Sequence, residues 1–152
     1  MSEPMTLAID CGGGGIKGSI VDERGTMIAP AIRTPTPYPL PPELLIEVAQ
    51  DLANKLPQAD RVTMGMPGMI RHGVVVATPH YITRSGPRSK VVPELVERWD
   101  HFDMRGGIER ALGLPTKVLN DAEVAGAGVI TGTGLEMIIT LGTGLGNAVF
   151  DG

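Results

Sequence analysis

Apolar positions bunch at the start of the chain into two short runs, MTLAID over 5–10 and IKGSIVD over 16–22, separated only by Cys11 and four glycines. Their length and β-branched content predict two strands joined by a bare glycine turn. A second turn, Asp22-Glu23-Arg24-Gly25, leads into a third extended segment over 26–33. The chain is therefore expected to open as a three-stranded antiparallel meander. Pro35, Pro37, Pro39, Pro41 and Pro42 then make a stiff, non-helical connection. Beyond it Leu44, Leu45, Val48, Leu52 and Leu56 recur at helical spacing, predicting a helix over 42–56 with Pro42 in its first turn.

The pattern continues with a strand over 61–66 and two brief extended pieces in MPGMIRHGVVVATPH, punctuated by Pro67-Gly68 and His72-Gly73. Residues 81–90 are mostly small and basic and show no period, which predicts an exposed, mobile loop. Helical pieces are expected over 93–99 and 104–112, the second stopped by Gly113 and Pro115. TKVLN at 116–120 reads as a strand, and DAEVAGAGVI at 121–130 as a helix whose small residues permit close approach of a neighbour. MIITLGTGLGNAVFDG then repeats the grammar of the opening: strand, glycine turn, strand. Gly142 and Gly144 stand 130 residues after Gly12 and Gly14. That repetition predicts a first domain over 1–134 and the first hairpin of a second domain over 135–152.

Composition narrows the function classes. A chain of 152 residues with 42% hydrophobic content can bury one domain's core. A net charge of -4, with 13 Lys and Arg scattered along the sequence, argues against nucleic acid as the main partner. Cys11 is the sole cysteine, which excludes an intrachain disulfide and a cysteine metal cluster within this chain. His72, His80 and His101 lack the spacing of a helical zinc pair. Neither a leader nor a long apolar span is recognisable, so a cytoplasmic setting without a membrane partner is expected. Met64, Met66 and Met69 are expected to fill core space, and Trp99 with Phe102 either to stack on a sugar or to anchor the core.

The glycine runs carry the candidate chemistry. A turn without side chains lets backbone N–H groups reach an anion, and two such turns facing each other could hold a chain of phosphates. The competing explanation is that glycine supplies positive φ in a tight hairpin. Gly13, Gly15 and Gly18 match G-x-G-x-x-G, but a strand rather than a helix follows, which disfavours a dinucleotide fold. Lys17 does not complete a Walker A pattern either. Asp10 closes its strand beside the turn, where a carboxylate could hold Mg2+ bridging phosphate oxygens, or merely initiate the turn. Asp121 sits at a strand-to-helix junction at which Asn120 or Asp121 could cap the helix, with Glu123 favourably placed against its dipole. Strand ends in an open α/β sheet border the ligand crevice, so Asp10 and Asp121 are expected to face one cleft as metal ligand and general base.

With IDCGGGGIKG, LNDAEVAG and TLGTGLGNAVFDG together, the chain resembles the first domain of a ROK-family sugar kinase, and within that family the polyphosphate-type glucokinases. The resemblance implies an α/β fold of the ribonuclease H-like (actin-like) kind: a mixed five-stranded sheet, antiparallel meander then parallel strands, with helices on both faces. It implies that Asp10 attends the metal and that Gly12, Gly13, Gly14 and Gly15, with Lys17 beside them, bind the donor's phosphates. Gly142, Thr143 and Gly144 would grip phosphate from the other side. Asp121 would deprotonate the attacking sugar hydroxyl, with Asn120, Pro67, Gly68 and His80 around the sugar. Mg2+ and either ATP or polyphosphate are the implied cofactor and donor, and a hexose such as glucose the acceptor. Gly14 stands where the family usually has Ser or Thr, and His80 where a sugar-binding Asn is usual. Since the second domain's sugar and nucleotide contacts are not in this stretch, the part given is expected to be inactive alone. A non-catalytic sugar or phosphate sensor of a ROK-type regulator, or a half-domain that dimerises to rebuild a cleft, are the alternative readings.

Overall fold

The computed structural model describes residues 3–141 and 145–152. The opening runs pair as expected: β1 (Thr6–Cys11) and β2 (Ile16–Val21) form an antiparallel hairpin, with Asp10 opposite Lys17 and Cys11 opposite Ile16. The third strand is shorter than the sequence predicts, since β3 is only Ile32–Thr34. Before it the chain takes a detour through a Val21–Met27 bridge, and the Ser19 hydroxyl donates to the Ala29 carbonyl at 2.7 Å. Pro30 has no N–H to extend the ladder, which explains the late start.

Helix α1 (Pro42–Lys55) follows the proline segment and leads to β4 (Arg61–Met66), which pairs parallel with β1. An antiparallel sheet of β5 (Met69–Arg71), β6 (Val74–Ala77) and β7 (Phe102–Asp103) stands beside the main one. Helices α2 (Pro93–Trp99) and α3 (Met104–Leu112) precede β8 (Thr116–Asn120), which pairs parallel with β4. The main sheet therefore has the order β3-β2-β1-β4-β8, with two antiparallel pairings at one end and two parallel pairings at the other.

Helices cover both faces of this sheet. On one face, the site where Gly18 would carry a Cβ lies 3.4 Å from Leu52 of α1 and from Leu56 just after that helix. On the other, Gly65 lies under Val124 of α4 (Asp121–Ala127), 3.2 Å from its Cγ2. Gly18 shares a ladder position with Ile9, and Gly65 with Asp10, so alternation along β1 assigns the two helices to opposite faces. Leu7, Ile9 and Cys11 thereby enter the core while Asp10 stays outside it.

The last two strands, β9 (Leu135–Leu141) and β10 (Leu145–Asp151), form a separate two-stranded sheet packed on α4. The small residues of α4 permit that contact, because a Cβ at Gly126 would collide with Phe150 and Ile138. The helix is shorter than the predicted 121–130: beyond Ala127 the N–H groups of Val129 and Ile130 both fold back on the Gly126 carbonyl.

Three other expectations are corrected or resolved. Residues 81–90 are not simply exposed: Tyr81 and Thr83 are buried, and Thr83 Oγ1 is hydrogen-bonded to the carbonyls of His80 and Gly86 at 3.0 and 2.9 Å. Met64 and Met66 fill the core as expected, but Met69 is exposed. Trp99 is a core anchor, with its Nε1 donating to the Leu40 carbonyl at 2.8 Å and its ring between Tyr81 and Phe102. No helix among the described residues is long and apolar enough to cross a membrane.

Candidate active site

The turn between β1 and β2 is built for close approach, not for unusual backbone angles. None of Gly12, Gly13, Gly14 and Gly15 has positive φ, which removes the hairpin-conformation explanation of the run. Space is the constraint instead: a Cβ on Gly13 would lie 2.8 Å from Pro87 Cγ, and one on Gly15 2.6 Å from an Arg33 guanidinium nitrogen. Gly14 alone has open space around it, so a small side chain fits there.

Side chains from distant segments hold the turn's carbonyls. Thr36 Oγ1 and the Tyr81 hydroxyl donate to the Gly12 carbonyl at 2.7 and 3.3 Å. The Tyr38 hydroxyl donates to Gly13 O at 2.9 Å and the Arg33 guanidinium to Gly14 O at 3.1 Å. In a trans peptide the C=O of one residue and the N–H of the next point in opposite directions. Tying down these three carbonyls therefore turns the N–H groups of Gly13, Gly14 and Gly15 away from the anchoring side chains, the arrangement an anion requires. Arg33, Thr36, Tyr38 and Tyr81 are site-building residues that sequence reasoning missed.

The second half of the site hangs on Asn120. Its Oδ1 caps α4 by accepting from the Ala122 N–H at 2.8 Å, while Glu123 accepts from the Asn120 N–H at 3.0 Å to complete a capping box. The same side chain donates from Nδ2 to the Gly68 carbonyl at 2.7 Å, and Thr78 Oγ1 donates to the Pro67 carbonyl at 3.0 Å. The Pro67-Gly68 loop is thus hooked to the start of α4. Gly68 has φ of 117° and packs directly on the Ala77 carbonyl, so only glycine fits there. Asp121 follows as the first residue of α4, one carboxylate oxygen 2.8 Å from the Ala122 N–H.

Asp10 and Asp121 lie on the same side of the sheet. Asp10 pairs with Gly65 and Gly65 with Leu119, so two strand spacings, roughly 10 Å, separate β1 from β8. Between them Gly65 contributes no side chain, and its bare Cα leaves the Asp121 Cα only 3.7 Å from the Cβ position. Both carboxylates act on the buried Tyr81 hydroxyl, held well above its ordinary value of 10.0 chiefly by burial and then by Cys11, Tyr38, Asp10 and Asp121.

A cleft of about 640 Å3 gathers many of the expected residues: Gly12, Gly13, Pro67, Gly68, His80, Asn120 and Asp121 all line it. Arg71 and Asn147 line it too, without having been singled out in the sequence, as does Glu123, expected there only to favour the helix dipole. His80 is distinctive there, because its Nδ1 is buried with no hydrogen-bond partner among the described residues. Asp10, Gly14, Gly15 and Lys17 are not part of that lining; Lys17 Nζ lies 3.9 Å from Asp10 Oδ2 in a largely exposed pair. Gly142, Thr143 and Gly144 lie outside the described residues, although Leu141, Leu145 and Gly146 on either side line the cleft.

A single Asp10 beside the phosphate turn suits Mg2+, which is commonly held by one or two carboxylates together with substrate phosphates and water. No group of three or more potential ligand side chains exists among the described residues, so an all-protein metal cage is not present there.

The mixed five-stranded sheet with helices on both faces, and a cleft at the carboxyl ends of its parallel strands, is the actin-like sugar kinase architecture. The chain belongs to the ROK family, whose model matches residues 6–152. It is 30% identical over 151 residues to the polyphosphate glucokinase of Mycobacterium tuberculosis, covering 94% of this chain and 52% of that protein. It is likewise 30% identical over 152 residues to the N-acetylmannosamine kinase of Escherichia coli, covering 97% of this chain and 47% of that one. Among solved structures, the inorganic polyphosphate/ATP-glucomannokinase of Arthrobacter sp. strain KM superimposes with a TM-score of 0.76 at 32% identity, over 97% of this chain and 59% of that one. A ROK family transcriptional regulator shares the fold at 18% identity and a TM-score of 0.64, over 95% of this chain and 36% of that one. The chain spans about half the length of the curated relatives it matches.

Proposed function

We propose that the protein of which this chain is at least a part is a hexose kinase, transferring a phosphoryl group from ATP or polyphosphate to a sugar hydroxyl. The observation that carries the reading is the fixed glycine turn: its carbonyls are tied back by Thr36, Tyr38, Tyr81 and Arg33, and it opens on the cleft that contains Asp121. Kinship to sugar kinases named for glucose, mannose-type sugars and polyphosphate supports the substrate classes.

In this reading the Gly13, Gly14 and Gly15 amides bind the donor phosphates, joined by Lys17 and by the Gly142, Thr143 and Gly144 turn. Asp121 accepts the proton of the attacking hydroxyl, so that the oxygen can take the terminal phosphoryl group in line. Asn120 positions Asp121 through the cap and holds the Pro67-Gly68 loop, which shapes the sugar subsite. His80 offers its unpartnered Nδ1 to a sugar hydroxyl. Asp10 would hold Mg2+, which when bound neutralises charge on the donor phosphates. Residues 1–134 form the first domain and 135–152 begin the second; the reaction belongs to the cytoplasm.

The test is hexose phosphate formation by the whole encoded protein with each donor. The Asp121→Asn variant should lose on the order of 100-fold or more in kcat with sugar affinity little changed. A variant that keeps the parental rate would refute the assignment.

A further inference from the structure

The segments around the glycine turn share a property that composition hides. No Asp or Glu occurs between Asp60 and Glu94, nor between Glu23 and Glu43, in a protein whose net charge is -4. The first stretch contains Arg84, Arg88 and Lys90, all exposed, and the second contains Arg33, also exposed. Among the described residues none of these four side chains has a carboxylate within ion-pair distance.

Folding brings both segments against the turn. Pro87 abuts Gly13, and Gly86 packs on the ring of Tyr38, whose hydroxyl is tied to the Gly13 carbonyl. The 84–90 loop is internally braced by the Arg84 N–H to the Lys90 carbonyl at 2.9 Å and Ser89 Oγ to the Gly86 carbonyl at 2.7 Å. On the other side Arg33 lies over Gly15, and Lys17 occupies the neighbouring ladder position on β2.

We propose that Arg84, Arg88 and Lys90 form a track for a condensed inorganic phosphate chain running outward from the Gly13–Gly15 amides, which Arg33 keeps in place from behind through the Gly14 carbonyl. This rests on the kinase reading and specifies its donor. Repeated cations on a braced loop suit a ligand that repeats one charged unit, and they add attraction with every phosphate beyond those at the reacting end. They offer a nucleotide nothing comparable past its third phosphate. Tyr38 and Tyr81 are engaged by the turn, so the surface lacks the free aromatic platforms on which single-stranded nucleic acid stacks.

The test measures binding of a long-chain polyphosphate, tripolyphosphate and a single-stranded oligonucleotide to the whole encoded protein at several salt concentrations. In the variant carrying Arg84→Gln, Arg88→Gln and Lys90→Gln, the Kd for long-chain polyphosphate should rise roughly tenfold and its salt dependence should flatten. Tripolyphosphate binding should change less than about twofold. Arg33→Gln alone should weaken both phosphates. Sugar phosphorylation with ATP should persist in the triple variant, which separates the track from the kinase reading, since that reading depends on Asp121. Unchanged long-chain affinity in the triple variant, equal loss for tripolyphosphate, or oligonucleotide binding as tight as polyphosphate would overturn the track.

Discussion

Tyr81 is pressed between the glycine turn and the core, and its hydroxyl is where several constraints meet. It donates to Gly12, and burial keeps it protonated well above 10.0. Burial and then Asp10 likewise push the Cys11 thiol far above its ordinary 9.0. Both folded-state values are raised, so the unfolded chain releases these protons first as pH climbs. Their stabilisation is complete below about pH 9 and declines above it. Urea midpoints measured from neutral to strongly alkaline pH should therefore fall above pH 9, and Tyr81→Phe should remove part of that fall at a cost of about 1 kcal/mol at neutral pH. At this scale Asp10, Asp121 and the glycines were legible because their chemistry sits within a few residues of a strand end. Thr36, Tyr38 and Tyr81 were not, since their partners in the turn lie 24, 25 and 69 positions away. Nothing local in TPTPYP or HYIT marks such bonds.

Elements were legible where a period or a stop signal ran through them, as in α1 and in α3 with its left-handed Gly113 cap. Boundaries moved where backbone groups were diverted: the Ala29 carbonyl, taken by Ser19 just before Pro30 ahead of β3, and the Gly126 carbonyl, which accepts from both Val129 and Ile130 at the end of α4. Asn120 joins three elements, capping α4 at the end of β8 and fastening the loop after β4. Asn120→Ala should consequently cost about 1–2 kcal/mol of stability by urea denaturation, and should loosen the Pro67-Gly68 loop, read as faster amide exchange there. Gly126→Leu should leave the main sheet intact but dislodge the β9–β10 hairpin, because Phe150 and Ile138 occupy the space a side chain would need. Near-native far-UV circular dichroism with protection lost selectively over 135–151 is the expected signature.

For the molecule as a whole, the hairpin poses the largest physical problem. Leu135, Met137, Ile139 and Leu141 alternate outward along β9, with Leu135 77% and Leu141 85% exposed, and Leu145 and Val149 continue the apolar surface on β10. Such a strip favours burial by further polypeptide or by a second copy. The 152-residue chain by itself should thus associate with rising concentration in light scattering, and Ile139→Lys with Leu141→Glu should return it to a monomer of 16.0 kDa. A persistent monomer before substitution would count against this. By itself the sequence determined most of the succession of strands and helices, the glycine turn after β1 and the carboxylates Asp10 and Asp121 at strand ends, because periodicity and local backbone chemistry need only near neighbours. Which carbonyls the turn surrenders to tyrosines, how Gly65 opens the space between Asp10 and Asp121, and why the cations of 84–90 stand beside Gly13 were decided only by the tertiary structure. Those relations join residues far apart along the chain, and only packing brings them within bonding distance.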